Sequence, residues 1–533
     1  MSFTSLARCC IKACRRGFAD DRYRRAAKHA SPPDVKYKEE LFSFTRGRFV
    51  CNEQHELSQR RVRFDVNELA RCAAEAVGAE SCIDMLKYPD GMYNKIMLLT
   101  MDNGSRVVAQ VPNPNAGLPH FTTASEVATM DFARNVLETP VPKVLAWCSQ
   151  AHETPVGAKY IIMEQTSVSF TNYGSLYYSK DLDNTPDNQP LYVDAKGNRV
   201  MSTHYAIGPS TGREFVDNGR VTAGFDRGPW NSLEAYHTAI GHREMTCISQ
   251  FPELPKSPVT LCGPGTYQPT RARKLEALRH YLNIIRHILP KDENITLSHL
   301  WHEDLHVGNI FVDPSEPTKV VGLIDWQSTE LSPLYFHARQ PHFIDYEGSP
   351  INGLERPQPR KDLDKLEPSA RREAEALYLY QSLCSLYMTL ISRQNPRLYE
   401  AIEFQNTPQY EHLLLARNIL IDGEVAYLSK LAELESTWSD LSVDNTSICP
   451  FTLPDKDRND LEAEMQGVIR GMEAMRSIRD SLGELFPEQG IVRPEQFDET
   501  LDALNQMKEQ VISAFASTPE EKEAWERNWP FET

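Results

Sequence analysis

Between Leu297 and Trp326 the chain reads as a strand, a tight loop, a second strand, a turn and a third strand. Two stretches of it carry the residues suited to chemistry. The first is Leu300-Trp301-His302-Glu303-Asp304-Leu305-His306-Val307-Gly308-Asn309-Ile310-Phe311-Val312, and the second is Gly322-Leu323-Ile324-Asp325-Trp326-Gln327. A loop this short, held between strands, delivers Asp304 and Asn309 from one backbone turn. The apolar run Val320–Ile324 is a buried strand that ends on a carboxylate, Asp325. Phosphoryl transfer from a nucleotide needs a carboxylate that orients and accepts the proton of an attacking hydroxyl, and oxygen ligands that hold magnesium on the phosphates. Asp304 suits the first task; Asn309 and Asp325 suit the second. Two other readings compete. His302, Asp304 and His306 on a strand could hold zinc, although no glutamate base or further histidine cluster accompanies them. His306 could equally be a packed loop residue.

These residues resemble the H-x-D-L-H-x-x-N and I-D-W pair of aminoglycoside phosphotransferases and choline-kinase-like enzymes, relatives of the H-R-D and D-F-G pair of protein kinases. Over roughly residues 38 to 440 the chain is also similar to the family called altered inheritance of mitochondria protein 9. That likeness rests on Leu41–Val50, Thr122–Thr129, Gly174–Tyr178 and Gly208–Glu214. The resemblance implies an α+β, bilobal protein-kinase-like fold with a small β-rich lobe and a large, mainly helical one. It implies ATP and magnesium as cofactors and transfer of the γ-phosphate to a hydroxyl of a small metabolite, a lipid head group or a protein. Asp304 becomes the catalytic base, His302 the anchor of the catalytic loop, and Asn309 and Asp325 the metal ligands. Gly91, Gln110, Glu126, Met163 and Glu164 become the nucleotide-facing positions.

The rest of the chain supplies parts for such a plan. An amphipathic helix is expected over Phe64–Val77. Period-two strands are expected over Ser81–Lys87, Lys95–Thr100 and Val107–Val111, broken by Pro89-Asp90-Gly91 and Asp102-Asn103-Gly104. A helix should run from Thr123 to Glu138, with strands at Val144–Trp147 and in the hinge, Tyr160–Glu164. The loop-rich segment Tyr173–Gly228 follows, then helices at Ser232–Cys247 and Thr270–Leu289. Beyond Glu367 the periodicity is helical, over Glu373–Ile391, Tyr410–Leu434, Asp460–Leu482 and Gln496–Ala514. The organisation expected is a presequence at 1–19, a linker and N-terminal extension at 20–63, a small lobe at 64–165, a large lobe at 166–440 and a helical extension at 441–533.

The pattern breaks in three places. The strand position where relatives carry a cation for the phosphates holds Gln110, which donates a hydrogen bond but brings no charge. Its expected partner Glu126 also completes a Thr123-x-x-Glu126 capping box, and the two roles do not exclude each other. The phosphate-covering turn has a single glycine, Gly91, and Lys95 beside it is a candidate substitute cation. Only Gln165 to Asn172 separate the hinge from the Gly174–Tyr178 motif, too few for an ordinary helix. These departures keep a catalytically inactive, partner-binding kinase fold in play as the alternative.

Composition limits the partners. A net charge of -17 lacks the basic footprint of a nucleic-acid binder, and no apolar run is long enough to cross a membrane as a helix. The eleven cysteines are scattered without a C-x-x-C pair, which suits free thiols in a reducing compartment. Met1–Ala19 carries Arg8, Lys12, Arg15 and Arg16 on one helical face, Phe3, Leu6, Cys10 and Ala13 on the other, and no acid. That is the make-up of a mitochondrial import signal, and mitochondrial localisation is the expectation.

Overall fold

The computed structural model describes residues 41–531 apart from Pro89, 137–140, Pro142, 163–171, 184–189, 194–198, 313–314, 317–319, 341–343, Glu347, Pro350, Asn352 and 439–448. The expected import signal at Met1–Ala19, residues 20–40 of the expected linker and N-terminal extension, and the expected hinge positions Met163 and Glu164 lie outside the described residues.

A five-stranded antiparallel sheet is built from β2 (Cys82–Lys87), β3 (Asn94–Met101), β4 (Arg106–Pro112), β5 (Ala146–Cys148) and β6 (Tyr160–Ile162), in the order β2-β3-β4-β6-β5. Strand side chains alternate between faces. Met97, Leu99 and Met101 of β3 and Val107, Ala109 and Val111 of β4 therefore form one apolar face. It is buried against Val66, Leu69 and Ala73 of the preceding helix α2 (Val66–Ala76). Asp65 starts that helix by accepting the backbone N–H groups of Asn67 and Glu68 at 2.9 and 3.0 Å. Gln110 belongs to the opposite face, paired in register with Ile96 and Ile161.

The next helix, α3 (Phe121–Asn135), begins two residues before the expected Thr123, with His120 as its N-cap at φ 64°. Thr123 is thus inside the first turn, and the capping-box reading of Thr123 and Glu126 is incorrect. The Glu126 carboxylate is turned to Gln110 instead of back to a helix-start N–H.

Beyond the sheet, β7 (Ser175–Tyr178) and β8 (Tyr205–Gly208) form a hairpin packed on α3. Helices α4 (Leu233–Gln250) and α5 (Arg271–Ile288) centre the largest core, where Tyr281, Ile284 and Ile285 meet Leu413, Tyr427 and Leu431. The single helix expected over Tyr410–Leu434 is three: Pro408–Ala416, Ile419–Asp422 and Val425–Ser436. Gly423 turns the chain at φ 90°. The backbone groups released there are taken up by buried side chains of α4 and α5. Lys274 donates to the Ile419 and Leu420 carbonyls, and Glu244 accepts the Leu420 N–H. Apolar periodicity continues across the break, so the pattern alone could not locate it.

The two ends of the described chain come together. Strand β1 (Arg48–Phe49) pairs with Ile491–Val492. Val50 is buried with Met475 and Ile478 of the Asp455–Leu482 helix and with Trp525 and Trp529. Residues 48–50 therefore pack with the C-terminal helices, whereas Leu41 and Phe42 belong to the core beneath the five-stranded sheet. No helix among the described residues is long and apolar enough to span a membrane.

Candidate active site

Strand β9 (Ser298–Leu300) leads into the loop, β10 (Ile310–Val312) leaves it, and β11 (Val320–Leu323) returns antiparallel to β10. Ile310 pairs with Leu323, and the Ile324 N–H donates to the Asn309 carbonyl at 3.1 Å. The ladder therefore ends with Asn309 just before one strand and Asp325 just after the other.

His302 is buried, with Nε2 2.7 Å from the Ile324 carbonyl and its ring edge-on to Trp326 at 4.7 Å. A carbonyl accepts, so Nε2 carries the proton, and burial pushes the imidazole below its ordinary pKa. His302 is thus a neutral tie between the loop and the residue before Asp325. This arrangement removes it from any zinc trio with Asp304 and His306. Among the described residues no group of three or more His, Cys, Asp or Glu is disposed to hold a metal.

Asn309 is buried and its Nδ2 donates to the Asp304 carbonyl at 2.8 Å. The same carbonyl accepts the His306 N–H at 3.0 Å. These bonds close the loop around the Asp304 backbone and leave the Asp304 carboxylate exposed, 3.6 Å from His306 Nε2.

Asp325 adopts φ 63°, a left-handed conformation that costs a non-glycine residue roughly 1–2 kcal/mol. Burial and the Asp304 carboxylate beside it push its own carboxyl up to about 6, against a smaller downward pull from the Gln327 N–H. Glu126 is 2% exposed and is pushed further, to about 8, by burial and then by Asp325. Gln110 Nε2 lies 3.1 and 3.3 Å from its two oxygens. Asp304, Asp325 and Glu126 thus form an electrostatically linked row, and at neutral pH Glu126 is mainly protonated.

Lys95 does not supply the missing cation. Strand alternation turns it to the sheet face opposite Gln110, where it is 1% exposed. Its Nζ is 2.9 Å from the Ser43 carbonyl and 3.4 Å from Asp90 Oδ2. Lys87 and Thr45 meet the same Asp90 oxygen. The lysine is consumed in pinning the Asp90-Gly91 turn to the N-terminal segment. Gly91 is in that turn, and its N–H is bonded to the Asn94 carbonyl at 3.0 Å.

Two contacts were not foreseen. Asn94, the first residue after the turn, exchanges amide hydrogen bonds with Gln327 at 3.0 and 3.4 Å, clasping the sheet to the segment after Asp325. Arg213 lies 3.8 Å above the ring of Tyr93 and donates to the Ala116 carbonyl at 3.0 Å. The Asn94 pairing spans 233 residues and leaves no local signal. Arg213 belongs to the Gly208–Glu214 motif, the one hint the sequence contains.

Magnesium prefers oxygen ligands, and the donors present fit it. Asn309 spends its amide N–H₂ on the loop, which leaves its oxygen as acceptor, and Asp325 offers a carboxylate at the same end of the hairpin.

Residues 254–336 match the phosphotransferase enzyme family. The matched stretch contains His302, Asp304, Asn309 and Asp325, and it excludes Gln110 and Glu126. A subtelomeric hrmA-associated cluster protein of Aspergillus fumigatus is 27% identical over 84% of this chain and 97% of its own length. The altered inheritance of mitochondria protein 9 of Yarrowia lipolytica, described as mitochondrial, is 20% identical over 75% of this chain and 77% of its own. Among solved structures, an aminoglycoside phosphotransferase is 12% identical over 76% of this chain and 99% of that one, at a TM-score of 0.30. A macrolide 2'-phosphotransferase is 15% identical over 69% and 96%, at a TM-score of 0.23.

Proposed function

We propose that this chain is a mitochondrial phosphotransferase-like protein that binds ATP with magnesium and transfers the γ-phosphate to a hydroxyl acceptor. In this reading it is bilobal. Residues 64–165 form the small lobe, 166–440 the large lobe with the catalytic loop, and 441–533 a helical extension joined by the N-terminal segment. The observation that supports it most is the organisation of one hairpin end. Asn309 is locked onto the Asp304 backbone while Asp325 stands close enough to Asp304 for their charges to interact.

Asp304, exposed at the mouth, takes the role of orienting the acceptor hydroxyl and receiving its proton. Asn309 and Asp325 hold the metal through oxygen, and His302 fixes their spacing through the Ile324 carbonyl. Bound magnesium supplies positive charge against the phosphates and against this row of carboxyls. Gly91 and Gln110 face the nucleotide from the small lobe, with Glu126 behind Gln110 and the hinge at Met163 and Glu164.

ADP release is the test, measured with magnesium and ATP over fractions of mitochondrial metabolites, lipids and proteins. The reading expects release in at least one fraction and its loss in Asp304→Asn. A second reading, a catalytically inactive kinase fold that binds a partner, draws on the neutral Gln110–Glu126 pair and the occupied Lys95. It expects no release above the Asp304→Asn background in any fraction.

A further inference from the structure

Of the large apolar side chains that stand exposed among the described residues, six lie on one helix, α6 (Pro368–Gln394). They are Tyr378, Leu379, Tyr380, Leu383, Leu386 and Leu390, with Leu379 and Leu386 56% and 53% exposed. The opposite face is already used, since Cys384, Ser385 and Ile391 are buried and Met388 packs on the main core. The exposed face is ordered. Ala376, Leu379, Leu383, Leu386 and Leu390 follow at intervals of three, four, three and four, the a/d spacing of a helix that packs along another helix. Continuous apolar surface of this kind, flanked by charge, marks an interaction site.

The stripe's ends identify the occupant. Exposed Arg371, Arg372, Glu373 and Glu375 stand at its start, with Glu375 paired to Arg371 at 2.8 Å, and exposed Arg393 closes it. A parallel pairing of two copies would set Arg393 against itself. An antiparallel pairing about a two-fold axis sets Leu383 beside Leu386 of the other copy and Leu379 beside Leu390. The same register puts the long Arg393 over the small Ala376, within reach of Glu373, and symmetry makes that contact twice. We propose that α6 is the self-association surface of this protein, joining two copies as an antiparallel helix pair. The stripe from Ala376 to Leu390 is about 21 Å long at 1.5 Å per residue. That is at the small end of stable interfaces, so the dimer dissociates on dilution.

Sedimentation equilibrium of the full chain over a range of concentrations tests this, with circular dichroism to verify that each variant is folded. The native chain should show a monomer–dimer equilibrium. Leu386→Asp, an exposed position, should weaken association tenfold or more with unchanged helicity. Glu373→Arg should weaken it too, and adding Arg393→Glu to Glu373→Arg should restore it. A chain that stays monomeric at every concentration overturns the proposal. So does a dimer indifferent to Leu386→Asp, or a Glu373→Arg defect that Arg393→Glu does not reverse.

Discussion

Replacing Glu126 by Gln should make the protein's stability less dependent on pH, and the direction and size follow from the site. Glu126 is buried, and its carboxyl is raised from an ordinary 4.5 to about 8. A carboxyl raised in the folded state binds more protons folded than unfolded, so it subtracts stability as pH rises. Its contribution is whole below pH 4.5, falls between 4.5 and 8, and is lost above that. At about 1.36 kcal/mol per pH unit the full span is on the order of 5 kcal/mol. Asp325 titrates in the same sense, up to about 6, so the clean window is pH 6.5 to 8. There the native chain should lose about 2 kcal/mol relative to Glu126→Gln. The assay is urea unfolding of both proteins at half-unit pH steps. The amide has no proton to lose and keeps a hydrogen-bond partner in Gln110, so the difference between the two curves isolates Glu126. Curves that run parallel across pH 6.5–8 would mean an ordinary ionised Glu126, and the protonated Glu126 paired with Gln110 would be refuted.

Further expectations follow from the same contacts. Gln110→Lys puts an ammonium beside Glu126 and the phosphates. A hydrogen bond to a charged group is worth roughly 1.5–3 kcal/mol, so calorimetry should show magnesium-ATP affinity rising by one to two decades, less the cost of desolvating lysine. Asp90→Ala strips Lys95 and Lys87 of their shared carboxylate and should cost about 1–3 kcal/mol in urea unfolding, because buried Lys95, which burial already lowers to about 8, loses the partner that holds its proton and is left an amine short of a hydrogen-bond partner. A fluorescent reporter fused behind residues 1–40 should enter mitochondria, and a cytosolic reporter would count against the import reading.

The hairpin carrying Asp304, Asn309 and Asp325 was legible because its constraints are local. Two short apolar strands fix the loop between them, and the residues with chemistry are spaced by the turn itself. The meander and α2 were readable for the same reason, since period-two alternation and a capping Asp65 are written within a few residues. What could not be read depends on distant partners. Thr123 looked like a cap because the sequence does not disclose that His120 starts α3 and that Gln110 faces Glu126. Lys95 looked available because its captor Asp90 is buried under Ser43 and Thr45, from a segment that reads as an extension. The break at Gly423 is hidden because Glu244 and Lys274, far back in the chain, satisfy the backbone it frees.

If Asp325 and Asn309 hold magnesium on a nucleotide, titration of ATP with and without magnesium into the native chain and into Asp325→Ala will separate the two proteins. The native chain should bind ATP in a magnesium-dependent way, and Asp325→Ala should lose that dependence. Equal weak binding by both proteins, indifferent to magnesium, would contradict that assignment.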